Sequence, residues 1–198
     1  MKRAFDIVVA GFALIALSPV MAAVALVVKL ESPGPVIYTQ PRIGRSGRVF
    51  TMYKFRTMRT DAGGADAGVP VPRVSDFSTY VFDPLHGGKR YTRIGRFLRS
   101  GSLDELPNLI NVLKGDMSII GPRPEVPELV EQYLPEYHRR HDVRPGITGL
   151  AQTKGRGDLT YEETMQYDLE YVDDHSFLRD LKILAQTMPV VLSRKGAR

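Results

Sequence analysis

The sequence contains no cysteine. That absence removes a disulfide framework, a thiol nucleophile and a thiolate metal site together. It permits a reducing compartment without requiring one. No Asn-x-Ser/Thr acceptor is present. The G-x-G-x-x-G fingerprint, the Walker A loop, the His-Glu-x-x-His pair and the G-x-S-x-G elbow are all missing. Nothing therefore supports a Rossmann domain, a P-loop enzyme, a zinc protease or a serine hydrolase. Internal repeats are absent as well. Of the four histidines, His138 and His141 are three apart but flank Arg139-Arg140. Cations there would repel a metal, so both read as surface residues.

What is present is ordinary in amount and basic in balance. The 198 residues suit one domain with a core, and 43% of them are hydrophobic. The net charge is +5 and the pI about 9.5. That balance points to an anionic partner: a membrane surface, nucleic acid or a phosphorylated substrate. No nucleic-acid module and no interleaving of aromatics with the basic residues is found, so nucleic acid is set aside.

The longest apolar run is Ile7 to Val28, with Ser18 its only polar side chain. It meets the length of roughly 20 residues that a membrane helix needs. It is too long for the apolar core of a signal peptide, and more hydrophobics follow Ala22-Ala23. Ser18-Pro19 splits it into halves that each reach about half of a ~30 Å hydrocarbon core. Lys2 and Arg3 precede the run and Lys29 follows it, so basic residues flank both ends. A helix that enters, bends and returns to one leaflet fits these residues. A single Pro-kinked span fits them equally.

Glu31-Ser32-Pro33-Gly34-Pro35 stops the helix, and two strands follow, Val36–Gln40 and Val49–Met58, around a basic turn. Lys54 and Arg56 share one face of the second strand, which reads as a solvated face. Thr60 to Gly88, rich in Gly, Asp and Pro, reads as a long mobile surface loop. Five basic residues between Lys89 and Arg99 lead into Ser102-Leu103-Asp104-Glu105-Leu106-Pro107. Ser102 and Glu105 have capping-box spacing, which predicts a helix from Ser102 with its apolar stripe on Leu103, Leu106, Leu109, Ile110 and Leu113. Asp104 then falls in the first turn, where the helix dipole would hold it ionised. Such an acid serves as nucleophile or metal ligand, and equally as an ordinary cap. Arg99 beside this acid pair suits an anionic substrate with a divalent cation. Gly121-Pro122-Arg123-Pro124 is stiff and extended around Arg123, and Arg144 sits in a second Pro-Gly turn. Glu125–His141 reads as one or two amphipathic helices, Tyr161–Asp174 as an acidic helix carrying Asp168, and Phe177–Arg194 as a helix suited to packing or to a membrane surface.

Taken in order, Ser18-Pro19 in its apolar run, Ser32-Pro33-Gly34-Pro35, Lys54-Phe55-Arg56-Thr57-Met58, Leu98-Arg99, Ser102–Pro107, Gly115-Asp116-Met117-Ser118, Gly121-Pro122-Arg123-Pro124 and Arg144-Pro145-Gly146-Ile147-Thr148-Gly149 resemble the bacterial sugar transferases, the monotopic phosphoglycosyl transferases. The length resembles members with the catalytic domain alone. The resemblance implies a mixed α/β, mostly helical fold with a small β-hairpin and interfacial amphipathic helices. It implies a re-entrant membrane helix over 1–30, broken at Ser18-Pro19, and a catalytic domain over 31–198. It implies transfer of a sugar 1-phosphate from a UDP-sugar to polyprenyl phosphate, releasing UMP, in the first membrane step of glycoconjugate assembly. The family's acid dyad falls on Asp104 and Glu105, with Asp104 as the nucleophile of a phosphosugar–aspartate intermediate and both acids as ligands for Mg²⁺. Lys54, Arg99, Arg123 and Arg144 would bind phosphate oxygens. Whether Asp116 or Asp168 reaches the site is open, as is monomer against homodimer. The implied location is the cytoplasmic face of the bacterial inner membrane, in contact with phospholipid. Two other classes remain: a non-enzymatic membrane-surface protein, and a Mg²⁺-dependent phosphohydrolase.

Overall fold

The computed structural model describes residues 1–59, 73–81 and 91–193. The apolar run forms one continuous helix, α1 (Lys2–Glu31), with Pro19 inside it. The expected break at Ser18-Pro19 does not interrupt the helix. Ser18 donates its hydroxyl to the Ile15 carbonyl at 2.8 Å, one of the acceptors near the proline.

Only one stripe of α1 meets the rest of the protein. Phe5, Val9, Ala10, Ala13 and Leu14 join one core cluster, and Met21, Val24, Ala25 and Val28 join another. Val8, Phe12, Ile15, Leu26 and Leu30 stay exposed on the other faces. Leu178 and Met188 near the C-terminus and Phe97 are exposed too. Apolar side chains left in this number on one molecule mark a surface that meets something other than water.

Both ends of α1 are tied down by polar contacts. Lys2 donates to the Ile120 carbonyl (2.9 Å) and to Asp180 (2.6 Å), and Arg3 to the Val112 and Leu113 carbonyls. Buried Asp6 accepts from the Ser118 hydroxyl and the Ile119 N–H. At the other end Arg56 donates to the carbonyls of Val28, Ser32 and Pro33. Arg56 is thus buried, contrary to its reading as part of a solvated strand face. Its guanidinium supplies donors to the carbonyls that a helix end leaves unpaired.

The strands β1 (Ile37–Ile43) and β2 (Val49–Phe55) form an antiparallel hairpin that pairs Tyr38 with Lys54. Then come α2 (Arg93–Ser100), α3 (Asn108–Lys114) and β3 (Ser118–Ile120). Thr92 caps α2, accepting from the Gly95 N–H at 2.9 Å. The region expected as amphipathic helix from Glu125 to His141 is instead a single α-turn, α4 (Pro127–Val130), and a 3₁₀ segment, Pro135–Asp142. Its two prolines each start a segment, because neither can continue a helix begun before it. His141 is buried rather than on the surface, its ring stacked on Tyr133. β4 (Gly146–Thr148) pairs in parallel with β3, and α5 (Leu150–Lys154), α6 (Tyr161–Asp173) and α7 (Phe177–Ser193) complete the chain.

The main core joins Met52 of β2, Leu109 and Val112 of α3, Ile119 and Ile120 of β3, Tyr171 of α6 and Ile183 of α7. Side chains such as Val112 and Ile120, with no exposed area, each contribute about 1.5–3 kcal/mol by burial. A second cluster gathers Leu129, Tyr133, Tyr161 and Met165. Val74, Phe77 and Tyr80 pack on it, so this part of the expected loop is docked. The rest of that loop, 60–72 and 82–88, lies outside the described residues, as do Lys89 and Arg90.

Two glycines explain the motif order around Arg123. A Cβ on Gly121 would lie 2.3 Å from the Arg144 carbonyl oxygen, and one on Gly146 would lie 2.1 Å from the Gly121 nitrogen. Only glycine lets these backbones cross at that distance. The crossing is fixed by Gly121 N–H to Thr148 and Gly146 N–H to Pro122, both at 2.8 Å. It sets the direction in which Arg123 leaves β3.

Candidate active site

The site begins with Asn111, a fully buried side chain of α3. Its amide accepts from the Tyr53 N–H (3.1 Å) and donates to the Thr51 carbonyl (2.7 Å). α3 is thereby locked to the backbone of β2. Lys54, the next residue of that strand, is held beside the turn that precedes α3.

That turn departs from its sequence reading. The capping box does not form. Ser102 is left-handed (φ 55°) with no side-chain cap, and Leu103–Glu105 is a 3₁₀ turn. α3 starts only at Asn108, after Pro107. Instead of folding back on Ser102, Glu105 turns toward two cations. Its carboxylate takes Lys54 at 3.1 Å and Arg123 at 2.6 and 3.4 Å. These charge-assisted bonds outcompete a single backbone N–H. Asp104, immediately before it, is buried. Three chain segments far apart in sequence so converge on the acid pair: β2, the 3₁₀ turn and the residues after β3.

The family described as bacterial sugar transferase matches residues 1–194 of the sequence. The chain belongs to that family. A "UDP-glucose:undecaprenyl-phosphate glucose-1-phosphate transferase" of Caulobacter vibrioides is 40% identical over 99% of this chain and 71% of its own length. The "Exopolysaccharide production protein PSS" of Rhizobium leguminosarum is 42% identical, over 98% of this chain and 96% of its own. The "Undecaprenyl-phosphate glucose phosphotransferase" of Komagataeibacter xylinus is 43% identical over 94% of this chain. The match covers 35% of that relative, so the chain spans about a third of its length.

The charges of the site are unequal. Arg123 and Lys54 hold the Glu105 carboxyl far below its usual range, although burial opposes them. The same contact raises the Arg123 guanidinium. Burial lowers the Lys54 ammonium to about 8 and outweighs the pull of Glu105. Asp104 moves the other way from Glu105. Burial and the Glu105 charge push its carboxyl up, against Lys54, Arg99 and Arg123. The expectation of a dipole-stabilised, low-pKa acid at a helix start is reversed, because the helix does not start there.

A narrow cleft opens beside Glu105, lined also by Arg42, Lys54, Asn108 and Arg123 among others. Of the remaining candidates, Arg99 lies near the field of Asp104, with its guanidinium 5.4 Å from the Tyr91 ring centre. Arg144 is placed elsewhere: its Nε donates to the Gly115 carbonyl at the far end of α3. Asp116 accepts from Asn111 at 3.2 Å and faces Lys114. Asp168 is buried against Arg140 at 2.5 Å. Arg140 also donates to the Tyr133 hydroxyl and, at 2.8 Å, to the Arg123 carbonyl. Asp168 therefore meets the site only through Arg140, as a support for the Arg123 backbone.

Sequence reasoning missed Arg42, Asn108, Asn111 and Arg140. Asn108 carried a signal, since it follows Glu105 by three residues and so shares its side of the turn. Arg140 carried none, because nothing local tells a buried arginine from a solvated one.

Replacing Asp168 by Asn is expected to cost about 3–5 kcal/mol of stability, because it leaves the Arg140 charge buried without its partner. Thermal unfolding of the variant measures this. A stability within 1 kcal/mol (about a 2–4 °C shift in Tm) would show that the pair carries little.

Among the described residues no three His, Cys, Asp or Glu side chains cluster as a metal site. Mg²⁺ needs no such cage. It is commonly held by one or two carboxylates together with substrate phosphates. Asp104 fits that part, being an acid whose charge is under-compensated. Glu105 fits it poorly, since both its oxygens already accept from cations.

Proposed function

We propose that this chain transfers a sugar 1-phosphate from a UDP-sugar to polyprenyl phosphate and releases UMP, with Asp104 as the covalent nucleophile. The observation that carries the reading is the asymmetry of the dyad. Glu105 is neutralised by Lys54 and Arg123, while Asp104, adjacent and buried, has no such ion pair among the described residues. An acid left so is reactive when ionised. The names of several relatives, which include undecaprenyl-phosphate glucose-1-phosphate transferases, support the donor and acceptor classes.

In the first half-reaction an Asp104 carboxylate oxygen attacks the sugar-bearing phosphorus. The bond from that phosphorus to the bridging oxygen breaks, and UMP leaves with the electron pair. The sugar phosphate remains on Asp104 as an acyl phosphate. In the second half-reaction an oxygen of polyprenyl phosphate attacks the same phosphorus and the bond to Asp104 breaks. Lys54 and Arg123 hold non-bridging oxygens in line and offset their charge, which is most of what phosphoryl transfer asks of a protein. Arg99 adds positive field at Asp104. Mg²⁺, when bound by Asp104 and the substrate phosphates, supplies further charge compensation and favours the ionised carboxyl.

The membrane arrangement follows from α1. Lys2, Arg3 and Asp6 at one end and the last turn at the other are bonded to the same body. With both ends so held, α1 lies along that body and its exposed apolar face enters one leaflet without crossing it, on the cytoplasmic face of the inner membrane. The site then lies at headgroup level, where the acceptor phosphate is found, which lowers the entropic cost of the encounter. The lack of cysteine makes this simple to test. A cysteine inserted after Met1 and one placed at exposed Pro35, each singly, should react from the same side of sealed vesicles. Labelling from opposite sides would establish a span.

The catalytic test is UMP release in nanodiscs with Mg²⁺, a panel of UDP-sugars starting with UDP-glucose, and acceptor present or absent. Acceptor-dependent release is expected. Continued release without acceptor would make the chain a hydrolase.

A further inference from the structure

Asn108 is 1% exposed, yet its Oδ1 has no hydrogen-bond partner. Buried side-chain amides are almost always paired, and an unmade bond there is costly. This one lines the cleft beside Glu105. Arg42 lines the same cleft and also keeps an unpartnered buried Nε, although its other nitrogens donate to the Pro124 carbonyl and to Gln40. Arg42 is paired with buried Glu125 at 3.7 Å, which leaves Lys54 and Arg123 against one carboxylate, Glu105, in the lining of the cleft.

The lining specifies a ligand of two parts. The excess of positive charge calls for an anion. An amide oxygen cannot bind a phosphate oxygen, because both are acceptors; it calls for a donor hydrogen. The ligand must present that hydrogen close to its anionic group. A sugar 1-phosphate does so, since its C2 carries a hydroxyl or an acetamido N–H one carbon away from the phosphate-bearing C1.

We propose that Asn108 recognises the donor sugar, accepting a hydrogen bond from the polar hydrogen at C2, while Arg42 joins Lys54 and Arg123 on the phosphate. The inference rests on the UDP-sugar reading above and adds to it the place where the sugar is read.

The test uses Asn108→Ala and Asn108→Leu in nanodiscs with Mg²⁺, and the donors UDP-glucose and UDP-2-deoxyglucose. Binding is read by thermal stabilisation in an Asp104→Asn background, so that no turnover is needed. The parent is expected to favour UDP-glucose about tenfold, the size of one hydrogen bond of roughly 1–1.5 kcal/mol. Both Asn108 variants should bind the two donors within about twofold of each other. Without donor, Asn108→Leu should melt no lower than the parent, because it removes an unpaired polar atom at similar volume. A parent that ignores the 2-hydroxyl, or that does not bind UDP-glucose, overturns the proposal. So does a variant that loses both donors by the same factor, or failure of both variants to fold. UMP release by the unmodified chain is measured in parallel. Discriminating binding without release would reject the transferase reading and leave the role of Asn108 standing.

Discussion

Asp104→Asn is expected to lower UMP release by about 10⁴-fold or more while leaving the protein folded. Losing a covalent nucleophile removes the reaction path, and residual rates then reflect only binding and electrostatics. Folding should survive because the change is isosteric. It also removes one of two adjacent acidic charges, of which the Asp104 charge is the less compensated. The melting temperature should therefore hold or rise slightly. Intact-protein mass after incubation with donor alone gives a second reading. The parent should gain the mass of one sugar phosphate and the variant none. Near-normal turnover by Asp104→Asn would sink the nucleophile assignment. The pH profile of the parent carries the same information. The ionised form attacks, and burial with the Glu105 charge raises the Asp104 carboxyl. Activity should fall as pH drops through a pKa above the usual aspartate range.

Glu105→Gln should cost about 10²–10³-fold in kcat/KM, with a change in the alkaline limb that identifies the cause. Glu105 holds Lys54 and Arg123 at 3.1 and 2.6 Å. Without its charge the two cations repel each other and lose their shared anchor. Lys54 is the sensitive one, because burial already lowers it to about 8 and Glu105 is the main influence keeping it up. The sign follows directly. Removing that charge lowers the Lys54 pKa further, so the lysine loses its proton at lower pH and the alkaline limb moves in the acid direction. Lys54→Arg should do the opposite, carrying activity past pH 8, since a guanidinium stays charged. The measurement is kcat/KM against pH for the three proteins. An alkaline limb that stays in place in both variants would show that Lys54 charge does not govern turnover.

The order of elements was largely legible, and the reasons are local. Apolar residues in one unbroken run give α1, and β-branched and aromatic residues around a Gly-rich turn give the β1–β2 hairpin. A capping box that went unread forms at Thr160 and Glu163, where α6 starts. The same rule misled at Ser102. The spacing is right, but Glu105 has two better partners that the local sequence does not reveal. Lys54 and Arg56 fail as a solvated face for the same reason. One faces Glu105 and the other the carbonyls at the end of α1, both supplied by distant segments.

By itself, then, the sequence determined α1, the β1–β2 hairpin, α6, α7 and the family, and singled out Asp104 and Glu105, since long helices, hairpins and collinear motifs depend on neighbours along the chain. Only the tertiary structure decided what each charge does. It set Glu105 against Lys54 and Arg123, left Asp104 under-compensated, moved Arg144 to Gly115, and turned Asp168 into a support for Arg123 through Arg140. Electrostatic roles depend on burial and on distances of a few ångströms between residues tens of positions apart, which no local pattern encodes.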